Sequence, residues 1–396
     1  MTAPTIRRER LLGWGVGVGA VGLASLVLGY VLDPRQALTS YLTAFAAGLA
    51  LALAALCLVM ISHVLTAKWF VVLRRLTESI AATVPLFAVL FLPLLLRPSE
   101  LYPWLRPISS LPEELRDSVA KKLVYLNLPG FVVRAVIYFA VFIVLAELLR
   151  HWSLRRDRDP SADVARRQTV LSAAGLPVFA FALTFAVFDW LMSLTPWWYS
   201  TIYGVIYFAA GFLGLLALLA PLALYVERQG AIPAHHAADH YHSLGNLTLT
   251  FVVFWLYVAF AQLLVIWIGN EPHEITWLYP RLDTSWAVLG VILVLGMFAI
   301  PFLLLLWRDF KRAPSRLATL GVWLVIMLYL EIFWLVTPSV YPAGLHASWT
   351  DLAAIAFVGG AMLAVAAWRQ RGHPLVALND PQLPESLAFE GNEWEG

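Results

Sequence analysis

Residues 38–62 read LTSYLTAFAAGLALALAALCLVMIS, an uninterrupted apolar stretch without a formal charge. As a helix rising 1.5 Å per residue, such a stretch crosses about 30 Å of hydrocarbon. It is apolar all round, without the alternation of a barrel strand, and only a helix satisfies its backbone polar groups inside lipid. Outward from it, runs of the same kind recur ten times: 11–32, 38–62, 78–97, 130–151, 172–195, 200–226, 244–269, 284–307, 315–337 and 350–368. The expected fold is therefore an all-α integral membrane protein of about ten transmembrane helices. The composition agrees, since 61% of the 396 residues are hydrophobic and 13% are charged, about half the charged share of a soluble chain.

Other features set limits. The net charge of +2 gives no argument for nucleic acid. The single cysteine, Cys57, excludes a disulfide, a Cys-ligated iron–sulfur cluster and a c-type haem motif within this chain; it reads as a small buried hydrophobe. Arg7, Arg8 and Arg10 before the first run resemble a signal-peptide layout, but the run is too long and no small-x-small site closes it, so a retained helix is expected.

Lysine and arginine orient the chain. With the N-terminus inside, the inner tails, loops and helix ends hold 19 of the 27 Lys and Arg residues, six of them between Arg150 and Arg167. By the positive-inside rule both termini are expected in the cytoplasm. This divides the chain into an N-tail (1–10), a membrane domain (11–368) and a polar tail (369–396). One large outer loop, 98–129, places Leu115, Val119, Leu123 and Leu126 at helical spacing. An amphipathic helix is expected there, lying on the membrane surface or docking a partner. Phe45-Ala-Ala-Gly48 in the second run recurs as Phe208-Ala-Ala-Gly211 in the sixth. Four helices separate the copies, so the repeated units would be parallel.

Ionisable groups inside lipid are functional candidates because each costs several kcal/mol unless paired or wetted. Toward the outer side stand Arg134, Asp189, Gln262 and Glu331, with Ser193 one turn beyond Asp189. An Asp189–Arg134 pair would fix packing alone; a chain of carboxylates would pass protons. Toward the inner side stand His63, Arg74, Arg75 and Glu78, and Glu147 either joins them or pairs with Arg150. Histidine both donates and accepts protons near neutral pH. No histidines face each other at membrane depth to hold a b-type haem. In the loop His235-His236-Ala-Ala-Asp239-His240-Tyr-His242, His236 and His240 share helical spacing that would suit a metal only if the loop is helical.

Several stretches together resemble a known family: Ser62-His63-Val-Leu-Thr-Ala-Lys-Trp69 with Arg74-Arg75-Leu-Thr-Glu78; Phe188-Asp189-Trp190-Leu-Met-Ser193-Leu; and Trp198-Tyr-Ser200-Thr-Ile-Tyr-Gly204. They continue with Tyr241-His-Ser-Leu-Gly245, Phe254-Trp255-Leu-Tyr257 with Phe260-Ala-Gln262, Ile266-Trp267-Ile-Gly-Asn270-Glu271, and Pro301-Phe302 followed by Arg308-Asp-Phe-Lys311-Arg312. In order and spacing, over about residues 38–337, they resemble the ActF membrane subunits of the bacterial alternative complex III, within the NrfD/PsrC-like superfamily.

The resemblance implies two parallel-repeat four-helix bundles plus two peripheral helices, in the bacterial inner membrane. It implies a complex that oxidises quinol and passes electrons through iron–sulfur and c-type haem subunits on the outer side, to cytochrome c or directly to a terminal oxidase. Partners would be a sister NrfD-like subunit holding the better-supported quinol site, an iron–sulfur subunit, c-type haem subunits and membrane lipid. This subunit would carry no redox cofactor, serving as scaffold and candidate proton conductor, with quinone or quinol a candidate ligand. By matching position, His63, Arg75 and Glu78 would line the inner entrance. Asp189, Ser193 and Gln262, with Asn270 and Glu271 beyond, would line the outer one. Arg134, Glu147, Tyr257 and Glu331 complete the candidate path, whose middle lacks obvious charges. The alternatives are a secondary transporter for a small solute and a purely structural membrane anchor.

Overall fold

The structure, a computed structural model, describes residues 8–65, 67–157, 161–229, 237–376, 380 and 382–388. Residues 1–7, the His235 and His236 pair and the acidic end 389–396 lie outside the described residues. Among the described residues there is no strand, and ten helical segments are long and apolar enough to cross a membrane. In chain order these spans are Glu9–Leu32, Pro34–Leu65, Lys68–Leu95, Leu128–Arg156, Asp163–Leu194, Tyr203–Arg228, Ala238–Gly269, Trp286–Leu306, Pro314–Val340 and Trp349–Arg369. The chain is an all-α integral membrane protein.

The second and sixth spans form the centre, and the repeat explains why. Spans two to five close one four-helix bundle and spans six to nine a second. The bundles meet where the second span packs on the sixth; the second also touches the ninth, as the sixth touches the fifth, a pairing that survives exchange of the two units. The repeated Phe-Ala-Ala-Gly segments sit at this junction. Tyr207 donates to Ala46 O at 2.7 Å, and a Cβ on Gly211 would lie 2.9 Å from the Ala50 Cβ. Small residues thus let the central helices approach closely. The correspondence extends to the bundle ends: Asp189 stands six residues before Thr195-Pro196, and Glu331 six before Thr337-Pro338.

The first and tenth spans pair with each other and lean on the second. Their contact is backbone on backbone. A Cβ on Gly22 would stand 2.3 Å from Phe357 N, and one on Gly15 2.6 Å from Ala364 N.

Three local departures from the expected layout have physical causes. Residues 63–77, expected as an inner loop, are helical from Lys68 onward. Arg74, Arg75 and Glu78 are buried there because distant residues pair with them. This span breaks after Ala81 and restarts at Val84, with Pro85 in its first turn, a position that tolerates proline's missing N–H. In the eighth span Pro301 withdraws an N–H from the helix ladder, and a π-helical turn, Val294–Ala299, absorbs the mismatch. Trp323 Nε1 donates to Gly296 O within that turn at 2.9 Å. In the loop 98–129, the helix Glu113–Lys122 forms as expected. Its apolar side packs back on the chain's own bundle, with Val119 and Leu126 in the core. Lys122 Nζ donates to Pro196 O at 2.7 Å, and burial pulls its pKa down.

Candidate functional site

Arginines gather at one face of the bundle, where the second span ends and the third begins; it is called the basic face below. Here the third span presents Arg75 and Glu78 one turn apart, paired at 3.1 Å. Arg75 also pairs with Asp157, and Ser153 Oγ donates to the other Glu78 oxygen at 2.7 Å. Arg74 pairs with Asp380, which meets Arg156 at 3.3 Å. Arg74, Arg75, Glu78 and Asp380 are almost fully buried, and Asp380 is the acidic partner that Arg74 would lose in its absence. His63 sits beside them, its Nδ1 3.2 Å from Ser172 Oγ and its buried Nε2 without a hydrogen-bond partner. Glu147 pairs with Arg369 of the tenth span at 2.5 and 2.7 Å rather than with Arg150, a pairing that was one of its two expected arrangements; Arg150 donates to Arg369 O. The tenth span reaches this corner through its contact with the second and third, which the sequence spacing does not reveal.

The segment after the tenth span closes over this cluster. Asp380 is its anchor, Leu383 and Ser386 are buried, and Lys68 meets Glu385 at 2.8 Å in an exposed pair. His240 places Nδ1 2.8 Å from Trp69 O and Nε2 3.0 Å from Ser386 O. Asp239 pairs with Arg312 at 2.6 Å. Among the described residues no group of three or more His, Cys, Asp or Glu side chains could hold a metal ion.

At the opposite end of the first bundle the Asp189 carboxylate is fully buried. Arg134 donates to it twice, at 2.7 and 3.0 Å, and Tyr138 once, at 2.9 Å. Ser193 Oγ donates to Asp189 O at 2.5 Å and accepts Trp104 Nε1 at 3.3 Å. Tyr102 OH donates to Trp190 O. Burial, and then the Asp189 charge, push the Tyr102 phenol above its ordinary range. Tyr102 and Trp104 come from the loop after the third span and lie over the aspartate, shielding it from the bundle's surface.

Glu331 occupies the equivalent place in the second bundle, fully buried, as is Arg281 of the helix Pro272–Leu282. Arg281 was not singled out from the sequence; a lone arginine in Trp277-Leu-Tyr-Pro-Arg281-Leu is the signal that was available. It donates to Trp277 O at 2.7 Å, Leu335 O at 2.9 Å and Ser339 Oγ at 3.2 Å. Its guanidinium lies 3.8 Å from the Trp277 ring centre. Burial pulls its pKa down to about 9, which leaves it protonated at neutral pH.

Gln262 stands apart from Asp189. It accepts Ser200 Oγ at 2.5 Å beside a cavity of about 280 Å³ that Trp198 and Glu274 also line. Tyr257 is 67% exposed on the outward-facing side of its helix. Asn270 and Glu271 are exposed at the turn into the helix Pro272–Leu282, with Asn270 at φ +48°. None of these three joins a buried cluster.

Between the two polar ends of the first bundle lies an apolar septum. Phe45, Phe91, Phe139 and Trp190 pack ring on ring with centroids 5.1 to 6.3 Å apart. The void beside them measures about 10 Å³ and has no polar lining, too small and too apolar for a stable water. The arrangement can therefore hold protons or ions at either end, and among the described residues these packed rings leave no room for water beside Trp190. Compared with known proteins, the chain matches no family model, and no curated protein matches it significantly.

Proposed function

We propose that the chain is a non-redox membrane subunit of a quinol-oxidising respiratory complex of the alternative complex III type, serving as scaffold and gated proton path. One observation carries the reading: two of the motifs that resemble the ActF subunits supply the buried polar ends of the first bundle. Ser62-His63 and Arg74-Arg75-Leu-Thr-Glu78 supply the basic-face cluster, and Phe188-Asp189-Trp190-Leu-Met-Ser193 supplies the opposite one. The basic face would then be cytoplasmic, with iron–sulfur and c-type haem subunits on the other side and the quinol site in a sister subunit. Two half-paths closed by an aromatic septum suit a subunit that must not leak protons at rest. Movement of a partner against the second or sixth span would let water in.

A structural anchor is the second reading, favoured by the complete pairing of Asp189 with Arg134 and Tyr138. A transporter is disfavoured because the helix breaks of the third and eighth spans do not fall at corresponding places in the two bundles. The test uses Asp189→Asn and His63→Ala in the assembled complex. Normal assembly with loss of coupled proton movement is expected. Full coupling in both variants would leave only the anchor.

A further inference from the structure

We propose that a groove between the fourth and fifth spans, at the basic face, binds the headgroup of an anionic phospholipid. The groove is a cavity of about 520 Å³, within the size range of small-molecule sites. Trp152, Asp163, Arg166 and Arg167 form its mouth, and Leu148 and Val170 belong to its floor. The mouth is rich in cations. Among the described residues Arg166 has no acidic partner, and Arg167 shares Asp163 at 3.0 Å in a pair whose side chains are 55% and 64% exposed. Exposed pairs of this kind are weak and readily exchange partners. Arg155 and Arg167 stand 5.3 and 4.9 Å from the Trp152 ring centre, which holds both guanidiniums at the mouth.

The position decides the occupant. Arg156 ends the fourth span and Asp163 begins the fifth, so the mouth lies at the membrane–water boundary, the level at which tryptophan and arginine anchor helices. Beneath it, Leu148 and Val170 are 41% and 60% exposed. A soluble anion would leave that floor uncovered. A phosphodiester on two acyl chains satisfies both parts: its oxygens take paired N–H donors from arginine, and its chains lie on the floor. Basic pockets between transmembrane helices bind anionic lipids for this reason.

The test is native mass spectrometry of the full chain, released from mild detergent after exposure to dioleoyl phosphatidylglycerol or dioleoyl phosphatidylcholine. The wild type is expected to retain phosphatidylglycerol preferentially. Each interfacial arginine contributes roughly a fivefold preference, so Arg166→Ala with Arg167→Ala should lower retention about 25-fold. Both side chains are exposed, so folding is not at stake. Ala174→Phe, which fills the groove without altering charge, should weaken retention of phosphatidylglycerol. Arg316→Ala, an exposed cation on another helix, should not. Equal retention of the two lipids, wild-type retention by the double variant, or equal loss in Arg316→Ala would each overturn the proposal. Wild-type retention by Ala174→Phe would mean that phosphate alone is read, and would overturn the lipid assignment.

Discussion

Replacing Asp189 by alanine leaves the Arg134 guanidinium without its carboxylate, inside a membrane bundle. Hydrogen bonds to a charged group are worth about 1.5–3 kcal/mol each. The three that Asp189 accepts therefore set a ceiling of about 5–9 kcal/mol. The ceiling is not reached, because Arg134 keeps the Tyr125 carbonyl at 3.0 Å and the Tyr125 ring at 3.8 Å. Its side chain is also 20% exposed, so part of its charge rewets. Breaking a buried pair from one side costs about 3–5 kcal/mol, and these compensations put Asp189→Ala near the lower end, about 3 kcal/mol. Tyr138→Phe removes one bond and should cost about 1.5 kcal/mol. Combining Arg134→Met with Asp189→Leu removes both charges, so the double variant should cost at least about 2 kcal/mol less than the sum of its singles. Reversible unfolding in mixed micelles with rising dodecyl sulfate, followed by tryptophan fluorescence, reads all five variants. Strict additivity, or an Asp189→Ala loss below about 0.5 kcal/mol, would refute the claim that this pair holds the bundle end.

Other perturbations have equally definite outcomes. Gly22→Leu sets a side chain against Phe357 backbone at 2.3 Å; the first span should separate from the tenth, and cross-linking of cysteines placed on the two helices should fall well below the parent's. Arg281→Lys replaces a planar fork by a point charge that cannot reach Trp277 O, Leu335 O and Ser339 Oγ together; a stability loss of about 2–3 kcal/mol is expected in the same unfolding assay, and wild-type stability would contradict it. Asp380→Ala strands Arg74 and Arg156, so limited proteolysis within 382–388 should speed up at least about tenfold, equivalent to about 1.4 kcal/mol of lost anchoring; an unchanged rate would mean the segment is held by its apolar contacts alone.

The spans were legible because lipid leaves the backbone no alternative to a helix, and their ends fall within about five residues of those expected, apart from the starts of the third, fifth and seventh, which begin ten, nine and six residues earlier. In the third, Arg74, Arg75 and Glu78 look like a solvated loop, since the partners that bury two of them, Asp380 and Asp157, lie 306 and 82 residues away along the chain. The Asp189–Arg134 pair was readable as an option, because both stand near the same end of adjacent spans. Its third partner Tyr138 and the lid of Tyr102 and Trp104 were not, since no local period points to them. Tyr257 shows the limit of motif membership: a pattern places a residue on a helix without saying which side of it faces the bundle. The Thr-Pro pairs after Asp189 and Glu331 carried the equivalence of the two carboxylates in plain view, but it takes meaning only when the two bundles are seen to pack alike.

The central claim is that this chain works as one part of a quinol-oxidising assembly. Purifying it from its native membrane in a mild detergent, with identification of what accompanies it, tests that claim most directly. Co-purifying iron–sulfur and multihaem subunits, with haem absorbance and quinol oxidase activity, is the predicted result. A chain that comes alone, without haem absorbance or quinol oxidation, would contradict the account.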